Sequence, residues 1–275
     1  MDDSQAAQGV DYSELHRIDS PANRALRRDL WDAGDDLGQH SFLAPRYFDR
    51  IVERLGIGPD TSVLDLGSGT GGPAIHMAAR SGCRMTGLEI NAVGVQTARR
   101  LLGDSGLDDR VDFVQGDGMR TPFPDAVFDV VLSMNVMNVF EDKVGLFREV
   151  RRILRPGGTW AFVSGTFDFA EGDEEIRERL ARGYAIPQYT DTLAGYKAKL
   201  REAGFVVDEV DEYISDFRAT MARWLDAWTK HRDAIAEEQG AEQTDYHIVY
   251  FTTYLQMIDA GKASNHLVIS TRPAD

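Results

Sequence analysis

Between residues 45 and 165 the chain alternates short apolar runs with helix-like stretches. The helical patterns at 91–105 and 142–154 are examples, and the second ends before Arg155-Pro156-Gly157-Gly158. Runs rich in Val, Leu and Phe predict strands at 62–66, 84–88, 111–115, 128–134 and 159–164. Strands and helices in succession indicate an α/β fold, a Rossmann-like doubly wound and mostly parallel sheet flanked by helices.

Two regions, residues 1–44 and 166–275, flank the predicted core at 45–165. The first carries helix-like pieces and ends in Gly38-Gln39-His40-Ser41. The second predicts a helix at 192–203, a strand at 205–213, helical stretches at 216–239 and 244–260, and a strand at 266–270. We expect one overall domain, in which 166–275 completes the sheet and both regions form helical caps over the ligand site. In such sheets that site lies beyond the carboxyl ends of the strands.

The charge balance opposes polyanionic partners. The chain has 275 residues with 30 Lys and Arg against 45 Asp and Glu, a formal net charge of −15. We therefore expect no binding to nucleic acid or to an anionic membrane. Cys83 is the single cysteine, which excludes an internal disulfide, and no His and carboxylate spacing predicts a metal site. The acidic N-terminus and the lack of a membrane-length apolar run favour a cytoplasmic location, whereas the oligomeric state does not follow from the sequence.

A glycine loop, VLDLGSGTGG at 63–72, follows the first predicted strand. Such a loop lets a ligand approach the backbone closely and presents helix N-terminal N–H groups. A nicotinamide or flavin dinucleotide would bring a pyrophosphate there, and the nearby Asp65 would repel it. S-adenosylmethionine has no phosphate, and it carries a sulfonium and an ammonium group. Asp65 therefore favours S-adenosylmethionine over a dinucleotide.

Two further acids follow the next two strands. Glu89 ends the second strand, about 20 residues past the loop, where doubly wound folds place the acid that binds ribose hydroxyls. Either cofactor would use it. Asp117 follows the third strand, where its carboxylate can accept a hydrogen bond from the exocyclic amine of an adenine, and Met119 can pack on the ring. The three acids together are more specific than any one of them.

The stretches VLDLGSGTGG, GLEIN, VQGDGMRTPFPDAVFDVVLSMNVMNV and REVRRILRPGG resemble the class I S-adenosylmethionine-dependent methyltransferases. The resemblance is to the branch that methylates sarcosine-like amines, sugars, tocopherols and natural products. It covers residues 46–165, and 200–213 more weakly. It implies that the aminocarboxypropyl part of the cofactor is surrounded by Asp65, Gly67, Gly69 and Gly71. It also implies a ribose site at Glu89 and Ile90, an adenine site at Asp117, Gly118 and Met119, and a backbone contact at Met134 or Asn135.

The chain departs from this branch at Asn138. Many relatives have a histidine a few residues past the fourth strand, near the methyl group, and an asparagine cannot replace it as a general base. His40 is then either a base over the methyl group or a histidine of a surface loop. Trp224 and Trp228, like Tyr246, Tyr250 and Tyr254, repeat at four residues, which predicts helix faces that pack between caps or line an aromatic pocket. The substrate-binding candidates are Gln39, His40, Asn138, Tyr184, Tyr189, Trp224 and Tyr250.

The sequence thus predicts an S-adenosylmethionine-dependent methyltransferase that acts on an amine, hydroxyl or carbon nucleophile of a small organic molecule. A natural-product or other specialised metabolite is the expected substrate class. Three alternatives stay open. They are an enzyme that transfers or cyclises the aminocarboxypropyl chain of the same cofactor, a nicotinamide-dependent oxidoreductase, and a non-catalytic binding module.

Overall fold

The computed structural model describes residues 20–183, 189–212 and 216–274. In this part of the chain the strands form one seven-stranded sheet with the order β3-β2-β1-β4-β5-β7-β6. The strands from β1 to β5 pair in parallel, and β7 runs antiparallel to both β5 and β6. The strands are β1 (Ser62–Leu66), β2 (Arg84–Glu89), β3 (Val111–Gln115), β4 (Phe128–Met134), β5 (Leu154–Phe167), β6 (Val206–Glu212) and β7 (Ala263–Thr271).

Helices cover both faces of this sheet, and a 3₁₀ turn (Met137–Val139) follows β4. On one face, Phe147 packs against Phe162 of β5 with the ring centroids 5.9 Å apart. On the other, Met77 and Ala98 lie in a buried cluster with Phe113 of β3. The predicted Rossmann-like, doubly wound α/β fold is confirmed. The helices are α1 (Pro21–Leu30), α2 (Pro45–Arg54), α3 (Gly72–Ser81), α4 (Ala92–Gly103), α5 (Lys143–Ile153), α6 (Glu174–Gly183), α7 (Leu193–Glu202), α8 (Phe217–Lys230), α9 (Arg232–Gln239) and α10 (Ala241–Asp259).

Strands β1, β3 and β4 have the predicted bounds, whereas β5 is longer than predicted. It begins at Leu154, directly after α5, and includes the Pro156-Gly157-Gly158 stretch that was expected to separate helix from strand. Pairing with β4 shifts register between Phe128 and Val130, and this irregularity accommodates the extra residues. Continuous apolar runs predict the central strands β1 and β4 well because helices cover both faces of the sheet there, and nearly all side chains of these two strands are buried.

The helical stretch predicted at 216–239 is not one helix. It divides at His231 into α8 and α9. The His231 ring nitrogen Nε2 lies 2.6 Å from Asp29 Oδ2 near the end of α1, so the break point is tied to the N-terminal region. A contact between residues 202 positions apart is not visible in local periodicity.

The N-terminal and C-terminal regions pack together above the carboxyl ends of the parallel strands. Trp224 of α8 is the centre of their contact, with ring centroids 6.3 Å from Trp31, 5.4 Å from Phe42 and 5.5 Å from Phe251. Aromatic pairs at these separations bury large apolar areas. The division at 44 and 165 stays a prediction. Within the described ranges, none of the helices has the length and apolar character needed to cross a bilayer.

Candidate functional site

A cavity of about 210 Å³ lies beyond the carboxyl ends of β1, β2 and β4, where the strand order reverses. This is the position at which doubly wound sheets bind ligands. The glycine loop, the ends of β2 and β4, the loop after β3 and both capping regions contribute to its wall. The predicted site residues that line it are Gln39, His40, Asp65, Gly67, Gly69, Glu89, Ile90, Asp117, Gly118, Asn135, Asn138 and Tyr250.

Gly71 and Met119, both predicted to contact the cofactor, do not line the cavity. Gly71 has a φ of +80°, and a Cβ atom there would lie 2.5 Å from Phe113 Cζ and 2.6 Å from Ala98 Cβ. Its requirement for glycine therefore comes from helix and strand packing. Met119 donates its backbone N–H to Asp117 Oδ1 at 2.8 Å and so holds the loop in which Asp117 lies.

Three of the predicted substrate residues lie away from the cavity wall or outside the described residues. Trp224 is 6% exposed and packs within the capping helices, which explains why the fourfold spacing of Trp224 and Trp228 does not produce a pocket. Tyr189 donates its backbone N–H to Asn138 O at 2.7 Å, but its side chain does not line the cavity. Tyr184 lies outside the described residues.

The glycine loop closes tightly over the neighbouring strands. Gly67 has a φ of +78° and donates its N–H to Leu88 O at 2.8 Å. A Cβ atom on Gly67 would lie 2.8 Å from Val136 Cγ2, so only glycine fits between β1 and the segment after β4. The loop thus leaves its backbone open to the cavity.

Two buried acids lie beside this loop. Asp65 is 3% exposed, and Glu89 is 6% exposed. Burial first, and the charge of Glu89 second, raise the pKa of Asp65 to about 7. The Glu89 carboxylate accepts hydrogen bonds from the N–H groups of Gly69 at 2.9 Å and Asn91 at 2.8 Å. Among the described residues no donor reaches the Asp65 carboxylate, so a cationic group in the cavity would meet an acid that lacks a partner.

The segment after β4 holds a strained residue. Asn135 has a φ of +60°, uncommon for a residue other than glycine, and donates its N–H to Val163 O at 2.7 Å. Its Oδ1 atom is buried and has no hydrogen-bond partner. Ser41 and Ser68 also line the cavity, and their Oγ atoms are likewise buried without a hydrogen-bond partner. Buried polar atoms of this kind are normally satisfied, so the wall of the cavity concentrates hydrogen-bonding groups that lack a partner within the described part of the chain.

The part of the cavity under the caps is aromatic. Phe42, Phe167, Tyr250 and Tyr254 line it, and His40 lies beside them. The sequence did not identify Phe167, although it lies at the carboxyl end of β5, where the rule that located Glu89 also applies. Phe42 and Tyr254 could not be located in this way, because no strand carries them.

Gln39 lines the cavity, but its amide serves the capping loop. Its Nε2 atom donates to Asp35 O at 3.0 Å and to Leu43 O at 3.3 Å, and its Oε1 atom accepts from Leu37 N at 2.7 Å. The residue is 2% exposed. Gln39 therefore orders the segment that presents His40 and Phe42.

Comparison with known proteins agrees with this geometry. Residues 64–162 match the model of a methyltransferase domain family. The chain is 32% identical over 225 residues to "Sterol 24-C-methyltransferase ERG6B" of Gibberella zeae, covering 74% of this chain and 59% of that relative. It is 27% identical over 256 residues to "27-O-demethylrifamycin SV methyltransferase" of Amycolatopsis mediterranei, covering 91% of this chain and 90% of that one.

A solved structure extends the likeness to the whole fold. The cyclopropane synthase MmaA2 from Mycobacterium tuberculosis superposes with a TM-score of 0.79 at 14% identity, over 95% of this chain and 98% of that one. At this identity the likeness concerns the fold alone. The matched methyltransferase domain and the two relatives bear out the predicted resemblance to the class I S-adenosylmethionine-dependent methyltransferases.

Proposed function

We propose that this protein binds S-adenosylmethionine in the cavity and methylates a small, neutral and largely apolar organic molecule. The observation that carries the proposal is the continuity of the cavity. It runs from Asp65 and Glu89, beside the glycine loop, to an aromatic chamber under the caps. Phe42, Phe167, Tyr250 and Tyr254 line this chamber. One end suits a cationic cofactor, and the other suits an apolar acceptor.

The residues at the first end fit S-adenosylmethionine better than a dinucleotide. Asp65 would repel a pyrophosphate at the glycine loop, whereas an ammonium or sulfonium group would stabilise the ionised form of Asp65. Ser68 Oγ and Asn135 Oδ1, both buried without partners, offer further hydrogen bonds to a polar ligand. In this proposal Asp65 and the loop hold the amino acid part, Glu89 and Ile90 the ribose, and Asp117 with Gly118 the adenine.

When bound, S-adenosylmethionine supplies a methyl group that its sulfonium makes electrophilic. The protein then has two tasks, to orient the acceptor atom and to exclude water. Phe42, Phe167 and Tyr250 would hold the acceptor by apolar contact and keep water out. Since a neutral amine needs no base and a hydroxyl does, a proton acceptor matters only for the second class.

His40 is the candidate proton acceptor. It lies on the capping loop and is one of the residues that line the cavity. Asn138, the residue at the position where many relatives have histidine, lines the same cavity but cannot accept a proton near neutral pH. We infer that His40 takes the proton of a hydroxyl acceptor.

A small-molecule partner agrees with the aromatic lining of the chamber and with the net charge of −15. That charge also argues against a nucleic acid. A cytoplasmic location stays a prediction from the sequence.

Mass spectrometry of the reaction products tests the proposal. The full chain is incubated with S-adenosylmethionine carrying a labelled methyl group and a panel of neutral apolar alcohols, phenols and amines. Methyl transfer predicts S-adenosylhomocysteine and a labelled acceptor. Methylthioadenosine without a labelled acceptor would instead indicate transfer of the aminocarboxypropyl chain. His40→Gln is expected to lower kcat for hydroxyl acceptors by about a hundredfold and to leave amine acceptors unaffected.

A further inference from the structure

One lysine is buried behind the wall of the cavity. Lys143, the first residue of α5, is only 3% exposed, and it is not one of the residues that line the cavity. Burial removes the hydration of its ammonium group, and the amino end of a helix carries the positive end of the helix dipole. The position is therefore unfavourable for a cation on two counts, and other interactions have to offset this.

The ammonium group of Lys143 binds two backbone carbonyls that belong to different segments. Its Nζ atom donates to Phe140 O at 2.9 Å and also to Tyr189 O. The same atom lies 5.9 Å from the ring centroid of Tyr196, within the range of a cation–π contact. Hydrogen bonds from a charged donor are roughly twice as strong as those between neutral groups. Lys143 thus joins the segment after β4 to the segment before α7.

The first of these segments is part of the cavity wall. Residues 138–140 all line the cavity, and the Tyr189 N–H donates to Asn138 O at 2.7 Å. The Phe140 ring lies against the proposed adenine site, because a Cβ atom on Gly118 would be 3.2 Å from Phe140 Cζ. The buried ammonium group therefore holds this part of the wall from behind, through the carbonyl of a residue that lines the cofactor end.

The charged groups around Lys143 do not form an ion pair with it in the described part of the chain. Asp191 attracts the ammonium group, but the Asp191 carboxylate accepts a hydrogen bond from Lys199, which repels it. The Asp142 carboxylate, on the same turn, caps α5. Burial keeps the Tyr196 phenol neutral by raising its pKa. Burial, with Lys199 acting against Asp191, lowers the pKa of Lys143 to about 8.

We propose that Lys143 is the positioning residue of the cavity wall. Its charged form clamps residues 138–140 to the segment at Tyr189 in the arrangement that binds the cofactor, and its neutral form holds them less firmly. The inference rests on the proposed function, because it concerns the wall of the same cavity. Binding of the cofactor and protonation of the lysine then favour each other, so the affinity falls as Lys143 loses its proton.

Calorimetric titration of the full chain with S-adenosylhomocysteine tests the clamp at about pH 7 and about pH 9.5. Lys143→Arg is the reference variant, because a guanidinium keeps both N–H donors and its charge at either pH. We expect the Kd of the wild type, divided by that of Lys143→Arg, to rise about fivefold between the two pH values. The ratio cancels the titration of the ligand's amino group and of the other acids of the protein.

Lys199→Met provides a second variant, which tests the clamp even if Lys143→Arg does not fold. Removal of Lys199 takes away a repelling charge and frees the Asp191 carboxylate, so the pKa of Lys143 should rise toward its ordinary value. The loss of affinity should then begin at a higher pH than in the wild type. Lys262→Met breaks an ion pair with Asp173, neither of which lines the cavity, and should follow the wild type.

The outcomes separate this inference from the function on which it rests. Failure of the wild type to bind S-adenosylhomocysteine at about pH 7 would contradict the proposed function. Binding there would overturn the positioning role alone if the ratio to Lys143→Arg stayed constant, or if Lys199→Met and the wild type lost affinity at the same pH. A merely structural lysine would change the Tm of its variants without producing either pH effect.

Discussion

The Glu89 carboxylate accepts a hydrogen bond from the backbone N–H of Gly69 at 2.9 Å, across 20 residues of sequence. Its other oxygen accepts from Asn91 N at 2.8 Å. The acid thus fixes both the glycine loop and the start of α4, and Asn91 also caps that helix. Each carboxylate oxygen can accept a second hydrogen bond, so this arrangement leaves Glu89 able to hold ribose hydroxyls as well.

Replacing Glu89 by glutamine tests this double role. The amide keeps one acceptor oxygen but turns an N–H group toward a backbone donor. Glu89→Gln is therefore expected to weaken binding of S-adenosylhomocysteine at least about tenfold. Calorimetric titration measures the change. Glu53→Gln, at a carboxylate that is 68% exposed on α2, is the control and is expected to bind as the wild type does. Equal affinities in the two variants would contradict the role of Glu89.

The buried Asp65 predicts a dependence of stability on pH. Its pKa is about 7 in the folded protein against an ordinary value of 3.8. Since the folded value is the higher one, the stabilising effect is complete below about pH 4 and is lost as pH rises through 7. Asp65→Asn is expected to increase the free energy of unfolding by about 2–4 kcal/mol at pH 8 and to change it little at pH 4. Denaturant titrations at the two pH values measure this difference, and an equal effect at both would contradict it.

The same residue predicts how cofactor affinity varies with pH. If the ionised Asp65 receives the cationic part of S-adenosylmethionine, the Kd should be roughly five to ten times larger at pH 6 than at pH 7.5. The Asp65→Asn variant should bind weakly at both values. A Kd of the wild type that stays constant over this range would show that Asp65 does not titrate against the ligand.

Two glycines with similar positive φ values separate the effect of packing from that of backbone strain. Gly71 and Gly34 have φ values of +80° and +92°, but a Cβ atom on Gly34 would meet nothing within 4 Å. At Gly71 it would lie within 2.6 Å of Phe113 and Ala98. Gly34→Ala is expected to cost about 1 kcal/mol of unfolding free energy through backbone strain, and Gly71→Ala about 3 kcal/mol or more. Thermal or chemical unfolding of both variants provides the comparison, and equal losses would refute the packing role.

Substitutions of Trp224 and Tyr250 are expected to change different properties, stability for Trp224 and the KM for the acceptor for Tyr250. Trp224 packs among aromatic rings of the caps, so Trp224→Ala should cost about 3–5 kcal/mol of unfolding free energy. Trp224→Phe should retain part of the unfolding free energy that Trp224→Ala loses. Tyr250→Phe keeps the ring in the cavity wall and should change stability little while altering the KM for the acceptor. An unchanged Tm for Trp224→Ala would contradict the packing role.

The sequence located the parallel part of the sheet and the acids at its strand ends because both depend on local patterns. Continuous apolar runs mark strands buried on both faces, and the rule for ligand sites points to the residues that follow them, such as Asp65, Glu89 and Asp117. The position of Gly71 in the glycine motif likewise led to the prediction that it contacts the cofactor. In the structure, a Cβ atom on Gly71 would instead meet Phe113 and Ala98. Motif position alone does not distinguish a glycine that faces ligand from one that faces core.

The acceptor end was less predictable because tertiary contacts build it. Tyr250 and Tyr254 reach the cavity, whereas Trp224, on a helix with similar spacing, packs away from it. Periodicity gives a face of a helix but not the neighbour of that face.

Calorimetric titration of the full chain with S-adenosylmethionine, and separately with NADH, distinguishes the proposed cofactor from a dinucleotide. We expect one S-adenosylmethionine bound per chain with a micromolar Kd, loss of this binding in Glu89→Ala, and no heat with NADH. Binding of NADH alone, or of neither compound, would contradict this expectation.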